Sequence, residues 1–274
     1  FPLLMAAWKL APAMAAGNAI VLKPAEQTPA SILLFAELIQ DIVPEGVLNI
    51  VNGLGTEAGT ALTASDRIDK IAFTGSTEVG KIINKAAADK VIPVTLELGG
   101  KSPAIVCPGH PLDRAAARLV TGKLFNAGQT CIAPDYVLVD AARRDALLEA
   151  LRFEVADRYA DAAARAADYS HIVSDAQFQR LSGLLDDARE RGLTVLPLLD
   201  VDGARAFPPT LVVDPGADAA VMAEEIFGPI LPIIEYDDID KVIDQINANP
   251  KPLALYVFDN SRAFAEDIDR KSVV

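Results

Sequence analysis

Short apolar segments alternate with helix-like ones through the first hundred residues, and no other feature constrains the fold as strongly. Ala19 to Lys23 reads as a strand and ends at Lys23-Pro24. Thr28 then reads as an N-cap with Pro29 at the first helical position, and the helix runs through Leu34 and Leu38 to stop at Pro44-Glu45-Gly46. Val47 to Val51 is the next strand, and Gly53-Leu54-Gly55 turns into a helix from about Glu57. Lys70 to Thr74 is a third strand, followed by a glycine turn and a helix through Ala88; Val94 to Leu98 is a fourth. Strands this apolar, joined by helices, predict an α/β fold with a parallel sheet covered on both faces.

Past Gly100 the rhythm changes. Ala104 to Val106 and Tyr136 to Val139 read as strands around a helix from Asp113 to Asn126. Ala141 to Ala167 reads as one long helical stretch with Leu147, Leu148, Leu151 and Val155 inward. Thr210 to Val213 and Ile230 to Ile234 are further strands, with a turn at Phe227-Gly228-Pro229 between them. A second α/β domain with its boundary near Gly99 follows.

Several function classes are disfavoured. The formal net charge of −13 argues against nucleic acid, whose binding rests on Lys and Arg. It argues equally against an anionic membrane surface. Leu3 to Leu22 is Ala- and Leu-rich, but Lys9, Pro12, Gly17 and Asn18 interrupt it and no basic leader precedes it; a buried helix followed by a strand fits better than a targeting or membrane segment. Two cysteines make no disulfide framework, so a reducing compartment, the cytoplasm, is expected. Two histidines and the lack of Cys-x-x-Cys or His-x-x-x-His spacing point to no metal site. The chain begins and ends in mid-pattern, so we expect a fragment of a longer protein.

Three segments carry chemistry. In Phe125-Asn126-Ala127-Gly128-Gln129-Thr130-Cys131, polar and backbone-exposing residues surround a cysteine. That setting suits a nucleophile better than a core thiol, provided backbone N–H groups stabilise the thiolate. Cys107, at a strand end before Pro108, reads as structural. In Val94-Thr95-Leu96-Glu97-Leu98-Gly99-Gly100, a carboxylate interrupts an apolar strand. Burial there raises a carboxyl pKa toward values useful to a general base, while an inward salt bridge is the alternative. Gly75-Ser76-Thr77-Glu78-Val79-Gly80-Lys81 nearly matches a P-loop, but Ile82 stands where the Mg²⁺-binding hydroxyl belongs. Gly75 and Ser76 at a helix N-terminus facing a pyrophosphate, or a plain tight turn, are the other readings. Lys23 and Glu26, just off a strand end, are placed to hold the hydroxyls of an adenosine ribose; a carboxylate at the 2′ position repels a 2′-phosphate and favours NAD over NADP. A solvated Lys-Glu pair is the plainer reading of those two residues. Thiol, carboxylate and nucleotide site together read as an aldehyde-oxidising enzyme.

These residues resemble the aldehyde dehydrogenase superfamily over nearly the whole chain. The likeness rests on Leu22-Lys23-Pro24-Ala25-Glu26, Phe73 to Gly80, Leu96 to Pro103, Asn126 to Cys131, and Glu224-Glu225-Ile226-Phe227-Gly228-Pro229, all five in this order. Up to about Lys90 the chain is similar to general NAD-dependent members. From Val94 on, Asn126 to Tyr136 and Lys251 to Tyr256 resemble the class-three branch, nearest to coniferyl aldehyde dehydrogenases. A natural mosaic and a chimera both fit.

The resemblance implies a Rossmann-like NAD(P)-binding domain over residues 1–98, its start missing, and an α/β catalytic domain over 99–274, its end missing. It implies Cys131 as nucleophile and Glu97 as base. Lys23, Glu26 and Glu225 would hold riboses, and Ser76 would meet the pyrophosphate. Gly75, Gly80 and Leu98 would line the cofactor site, and Phe227 would pack near the nicotinamide. The implied substrate is a small-molecule aldehyde, the cofactor NAD with NADP possible, and the full-length assembly a homo-oligomer. The family's oxyanion asparagine would directly precede Phe1, and removing such a donor costs about 2.7–4 kcal/mol of transition-state stabilisation. A coenzyme-A-acylating relative, a non-catalytic member of the fold and a P-loop NTPase remain as alternatives.

Overall fold

The computed structural model describes residues 1–161 and 167–272. Its contacts gather into two units, Phe1–Leu98 and Gly99–Val274.

The first unit runs α1 (Pro2–Ala15), β1 (Ile20–Leu22), α2 (Ala30–Ile39), β2 (Leu48–Ile50), a π-helical turn (Gly55–Gly59), α3 (Thr60–Ala64), β3 (Ile71–Thr74), α4 (Thr77–Lys90) and β4 (Val94–Glu97). β1 pairs with β2 and β3 with β4, both in parallel. Ala6 and Leu10 of α1, four residues apart and so on one helix face, are buried with Ile32 of α2. Ile20, Leu22, Leu48 and Ile50 pack against them. Leu3, Leu4 and Trp8 stay exposed, so α1 is amphipathic rather than buried all round.

In this unit the described strands are each half-covered. All four strands alternate half-buried and exposed residues, as the two-residue period of a strand with one packed face requires. The Thr28 cap fails. Its N–H donates to the Ala25 carbonyl at 3.1 Å, closing a turn, and the helix starts at Ala30 without a side-chain cap.

The second unit runs β5 (Pro103–Val106), α5 (Leu112–Leu124), a 3₁₀ turn (Phe125–Gly128), β6 (Tyr136–Asp140), a 3₁₀ turn (Ala141–Arg143), α6 (Arg144–Arg158), α7 (Asp175–Glu190), β7 (Thr194–Pro197), β8 (Thr210–Val213), α8 (Ala220–Ala223), β9 (Ile230–Tyr236), α9 (Ile239–Asn247), β10 (Tyr256–Phe258) and α10 (Arg262–Lys271). Six strands form one sheet in the order β10-β5-β6-β9-β8-β7, parallel except for the β7–β8 edge pair.

Here the two-faced burial holds, and the two-residue period of a strand sorts the faces. Ala104, Val106, Val137 and Val139 pack with Leu119 of α5 and with Leu147, Leu151 and Val155 of α6. Ile105, Tyr136 and Leu138 point the other way, onto Val242, Ile243 and Ile246 of α9 and Ile268 of α10. Leu181, Leu184 and Leu185 of α7 close a third cluster with Val212 and Ile230. Leu138 is fully buried, so Leu138→Ala is expected to destabilise this unit by about 2–5 kcal/mol, read as a lowered urea midpoint at unchanged m-value.

The single helix expected over Ala141 to Ala167 instead begins with a 3₁₀ turn and ends at Arg158. The Tyr159 ring just past its end packs edge-on to Tyr169, and residues 162–166 of that stretch lie outside the described ones. No helix among the described residues is long and apolar enough to cross a membrane.

Candidate active site

In the first unit the candidate residues stand at the carboxyl ends of the parallel strands, where open α/β sheets carry ligands. Lys23 follows β1, and its Nζ donates to the carbonyls of Pro24 at 2.7 Å and Gly53 at 3.1 Å. It lies 3.6 Å from Glu26 Oε2. The backbone N–H of Glu26 and the nearby Lys23 hold the Glu26 carboxyl below the usual carboxylate range.

β3 leads into Gly75, whose N–H donates to the Glu97 carbonyl at 3.1 Å, so the glycine turn and the end of β4 are adjacent. Ser76 is the N-cap of α4, its hydroxyl accepting the Val79 N–H at 3.3 Å. Residues 77–80 are already helical. No loop is left to wrap a phosphate between Gly75 and Lys81, and the P-loop alternative falls with it. Gly80 is buried, and a Cβ there would come within 2.7 Å of Leu98, so this pair is also a close helix–strand packing contact.

Glu97 corrects one expectation. It ends β4 on that strand's exposed side, so its place in an apolar strand does not mean burial. Its charge acts on Lys9, whose Nζ donates to Thr74 Oγ1 at 2.5 Å. Burial lowers the Lys9 pKa and Glu97 partly restores it. Sequence reasoning treated Lys9 only as an interruption in an apolar helix; a lone lysine in such a helix was the available signal.

In the second unit the cysteine turn is strained. Asn126, Ala127 and Gly128 all have left-handed φ, at 54°, 51° and 73°. Asparagine and glycine tolerate that region, but for a buried alanine it is costly and must be held by its surroundings. The Gln129 side chain supplies much of the hold. Its Nε2 donates to the carbonyls of Asn126 and His171, each at 3.1 Å, and its Oε1 accepts the Val173 N–H at 2.9 Å. Any Cβ on Gly128 would overlap the Gly228 carbonyl, so the cysteine turn lies directly on the Phe227-Gly228 turn.

Cys131 follows in a turn closed by the Ala133 N–H on the Thr130 carbonyl at 3.0 Å, and it is half-buried. The Tyr256 hydroxyl donates to the neighbouring Ile132 carbonyl. Cys107, in contrast, is buried and pushed up to about 12 by desolvation and Asp259, which leaves it a thiol at neutral pH.

Glu225 and Phe227 belong to the facing loop. The Glu225 carboxylate sits on the Gly99 backbone, where any side chain would overlap it, and accepts the Gly100 N–H. Burial and the nearby Asp135 push it up to about 7, against the pull of Gly100, Arg180 and Lys101. Phe227 is exposed with φ 47°. Arg180 of α7 grips this loop, donating to Glu224 Oε1 at 2.9 Å and to the carbonyls of Glu225 at 3.3 Å and Ile226 at 2.5 Å.

Three charged residues escaped the sequence reading: Lys101, Asp135 and Lys123. Lys101 pairs with the buried Asp135. Lys123 lies on α5 with no hydrogen-bond partner for Nζ among the described residues, and burial pushes it down to about 8. Among the described residues no three His, Cys, Asp or Glu side chains gather as a metal site would need.

Comparison with known proteins places these features in context. The model of the aldehyde dehydrogenase family matches residues 1–272. A probable coniferyl aldehyde dehydrogenase from Pseudomonas aeruginosa is 43% identical over 96% of the chain and 55% of its own length. A dimeric NADP-preferring aldehyde dehydrogenase from Rattus norvegicus is 42% identical over 91% of the chain and 54% of its own length. Among solved structures, the NAD⁺ complex of an aldehyde dehydrogenase from Bacillus cereus superposes with a TM-score of 0.89 at 33% identity, over 99% of this chain and 56% of that one. The chain thus spans about half the length of the relatives it matches.

Proposed function

This chain belongs to the aldehyde dehydrogenase family, and on that premise we propose that it oxidises an aldehyde to a carboxylic acid with a nicotinamide dinucleotide, Cys131 acting as nucleophile and Glu97 as base. The observation that carries the reading is the strained turn at Asn126 to Gly128, locked by Gln129, which delivers Cys131. Strain of this kind persists where function requires a fixed geometry. In this proposal residues 1–98 are the cofactor domain and residues 99–274 the catalytic domain.

The residues present fit a dinucleotide. Ser76 caps a 14-residue helix whose first-turn N–H groups favour a pyrophosphate. Lys23 and Glu26 suit the adenosine ribose, and the negative charge held on Glu26 favours NAD over NADP. Glu225 takes the second ribose and Phe227 offers an exposed ring to the nicotinamide. Gly75, Gly80 and Leu98, at the glycine turn and the end of β4, complete the cofactor-binding set of the first unit.

The Cys131 thiolate attacks the aldehyde carbon to give a thiohemiacetal. A dinucleotide held by these residues would supply the hydride acceptor; the thiohemiacetal, on losing that hydride and its hydroxyl proton, would become a thioester on Cys131. Glu97 then takes a proton from water, and the resulting hydroxide releases the acid and restores the thiol. Relatives named coniferyl aldehyde dehydrogenases support an aromatic or longer aldehyde as substrate.

The test is NADH formation across a panel of aliphatic and aromatic aldehydes by the full-length protein. NAD binding without oxidation of any aldehyde would favour a non-catalytic member of the fold. A second expected result concerns pH. Glu225 holds a ribose best as a carboxylate, so the KM for NAD should fall as pH rises through about 7, the value that burial and Asp135 impose on it against the Gly100 N–H, Arg180 and Lys101. Lys123, also nearby, has a pKa of about 8 and loses its charge at the upper end of the window. Glu225→Gln should flatten the profile, and an unchanged profile would count against the ribose role.

A further inference from the structure

We propose that the partly buried Lys101–Asp135 ion pair is a positioning device: it helps fix the main chain on both sides of Glu225, and so presents Glu225 and Phe227 to the dinucleotide. This rests on the cofactor role just proposed for those two residues. Lys101 Nζ donates to the Asp135 carboxylate and to the carbonyls of Val221 at 2.7 Å and Glu224 at 2.9 Å. Asp135 Oδ1 accepts the Ile226 N–H at 2.9 Å. The residue before Glu225 and the residue after it are therefore both held by one pair.

The same pair reaches the nucleophile. Asp135 stands four residues past Cys131, and its N–H donates to the Ser102 carbonyl at 2.8 Å. One ion pair thus joins the Gly99–Pro103 segment, the cysteine turn and the Val221–Ile226 loop. The Tyr136 ring, its centroid 5.9 Å from Lys101 Nζ, shields one side of the ammonium.

An ion pair with one partner buried and the other partly so is a modest source of stability, because desolvation offsets much of its attraction. Its effect here is geometric. Both partners spend their remaining hydrogen-bonding capacity on the backbone of a single loop whose next residue, Phe227, has a left-handed φ of 47°. Arg180 holds the Ile226 carbonyl, but among the described residues the Ile226 N–H has Asp135 as its partner.

The experiment uses the full-length protein with Asp135→Asn and Lys101→Met. Asparagine keeps an acceptor for the Ile226 N–H and removes the charge that faces Lys101; methionine keeps the stem and removes the donors. Calorimetric NAD titration, separate KM values for NAD and aldehyde, kcat and thermal unfolding are measured on each. Expected, at a pH near 9 where Glu225 is a carboxylate whichever neighbour is changed, is a rise of about tenfold or more in both Kd and KM for NAD, about 1.4 kcal/mol, with aldehyde KM and kcat at saturating NAD within about threefold. Lys101→Arg, which retains the charge and the donors, should restore most of the NAD affinity. Unchanged NAD binding in folded variants overturns the proposal. So does a parallel rise in both KM values with a fall in Tm, or failure of both variants to fold, either of which assigns the pair to stability alone. A parent protein that binds no NAD sinks the cofactor reading itself, and this proposal with it. A parent that binds NAD beside variants that bind it equally well sinks only the positioning role.

Discussion

Cys131→Ala is expected to abolish NAD-dependent aldehyde oxidation, by on the order of 10³-fold or more, while leaving NAD binding within about twofold. The size follows from the chemistry. Every bond-forming step in the proposed route passes through the thiol, and an alanine methyl offers no substitute. The substitution should also leave the turn intact. The hold on Asn126 to Gly128 comes from the Gln129 side chain and from the packing of Gly128 on Gly228, and neither involves the sulfur. Loss of activity with preserved thermal unfolding would thus report the missing nucleophile and not a collapsed site. The measurement is NADH absorbance together with thiol labelling by iodoacetamide. Cys107, buried and a thiol at neutral pH, should stay unlabelled in the folded protein, so labelling should vanish with Cys131. Turnover that survived the change would remove Cys131 from the mechanism.

Glu97→Gln should separate the two halves of the reaction. Acylation needs the thiol and the hydride acceptor; release needs an activated water. With the carboxylate gone, mixing enzyme, NAD and aldehyde should give a rapid NADH burst of about one equivalent per site. A steady rate lowered by about 10²- to 10⁴-fold should follow, the range a general base contributes. Glu97 is exposed at the end of β4, so glutamine should fit there without a packing defect. Lys9 supplies a cation close enough to feel the charge of Glu97, so the substitution should also lower the Lys9 pKa further. Stopped-flow NADH fluorescence reads the burst, and acid quench followed by mass spectrometry reads the acyl adduct on Cys131. A steady rate equal to that of the unsubstituted protein, with no burst, would assign the base elsewhere.

The elements of the second unit were legible because their signals are local. Apolar strands of four to seven residues set between amphipathic helices leave few alternatives, and β5, β6, β8 and β9 formed where the apolar runs stood. The first unit shows the limit of the same signal. Ile71 to Phe73 and Val94 to Leu96 are as apolar as the strands of the second unit, yet each strand buries one face. Apolarity reports that a residue can be buried, and only packed neighbours decide whether it is. Glu97 was misjudged for that reason: its neighbours in sequence are apolar, but its own side of the strand is open. The end of α6 at Arg158 has no local signal in an Ala- and Arg-rich stretch, and the contact of Tyr159 with Tyr169, ten residues on, is likewise invisible to any local pattern.

Residue identity and spacing by themselves determined the chemical kit: a cysteine in a polar glycine-rich turn, a carboxylate at a strand end, a capped helix after a strand, and the order of motifs that marks the family. These are properties of near neighbours along the chain, and a few residues suffice to specify each. What the tertiary structure alone decided is how those groups are held and charged. Lys101 meets the backbone of Val221 and Glu224 more than a hundred residues away. Asp135 meets Ile226 across ninety-one positions. The carboxyl of Glu225 rises to about 7 because burial and Asp135 act on it in space. Electrostatic and steric effects fall off with distance through the protein, not with separation along the chain, so they become readable only when the fold has brought the partners together.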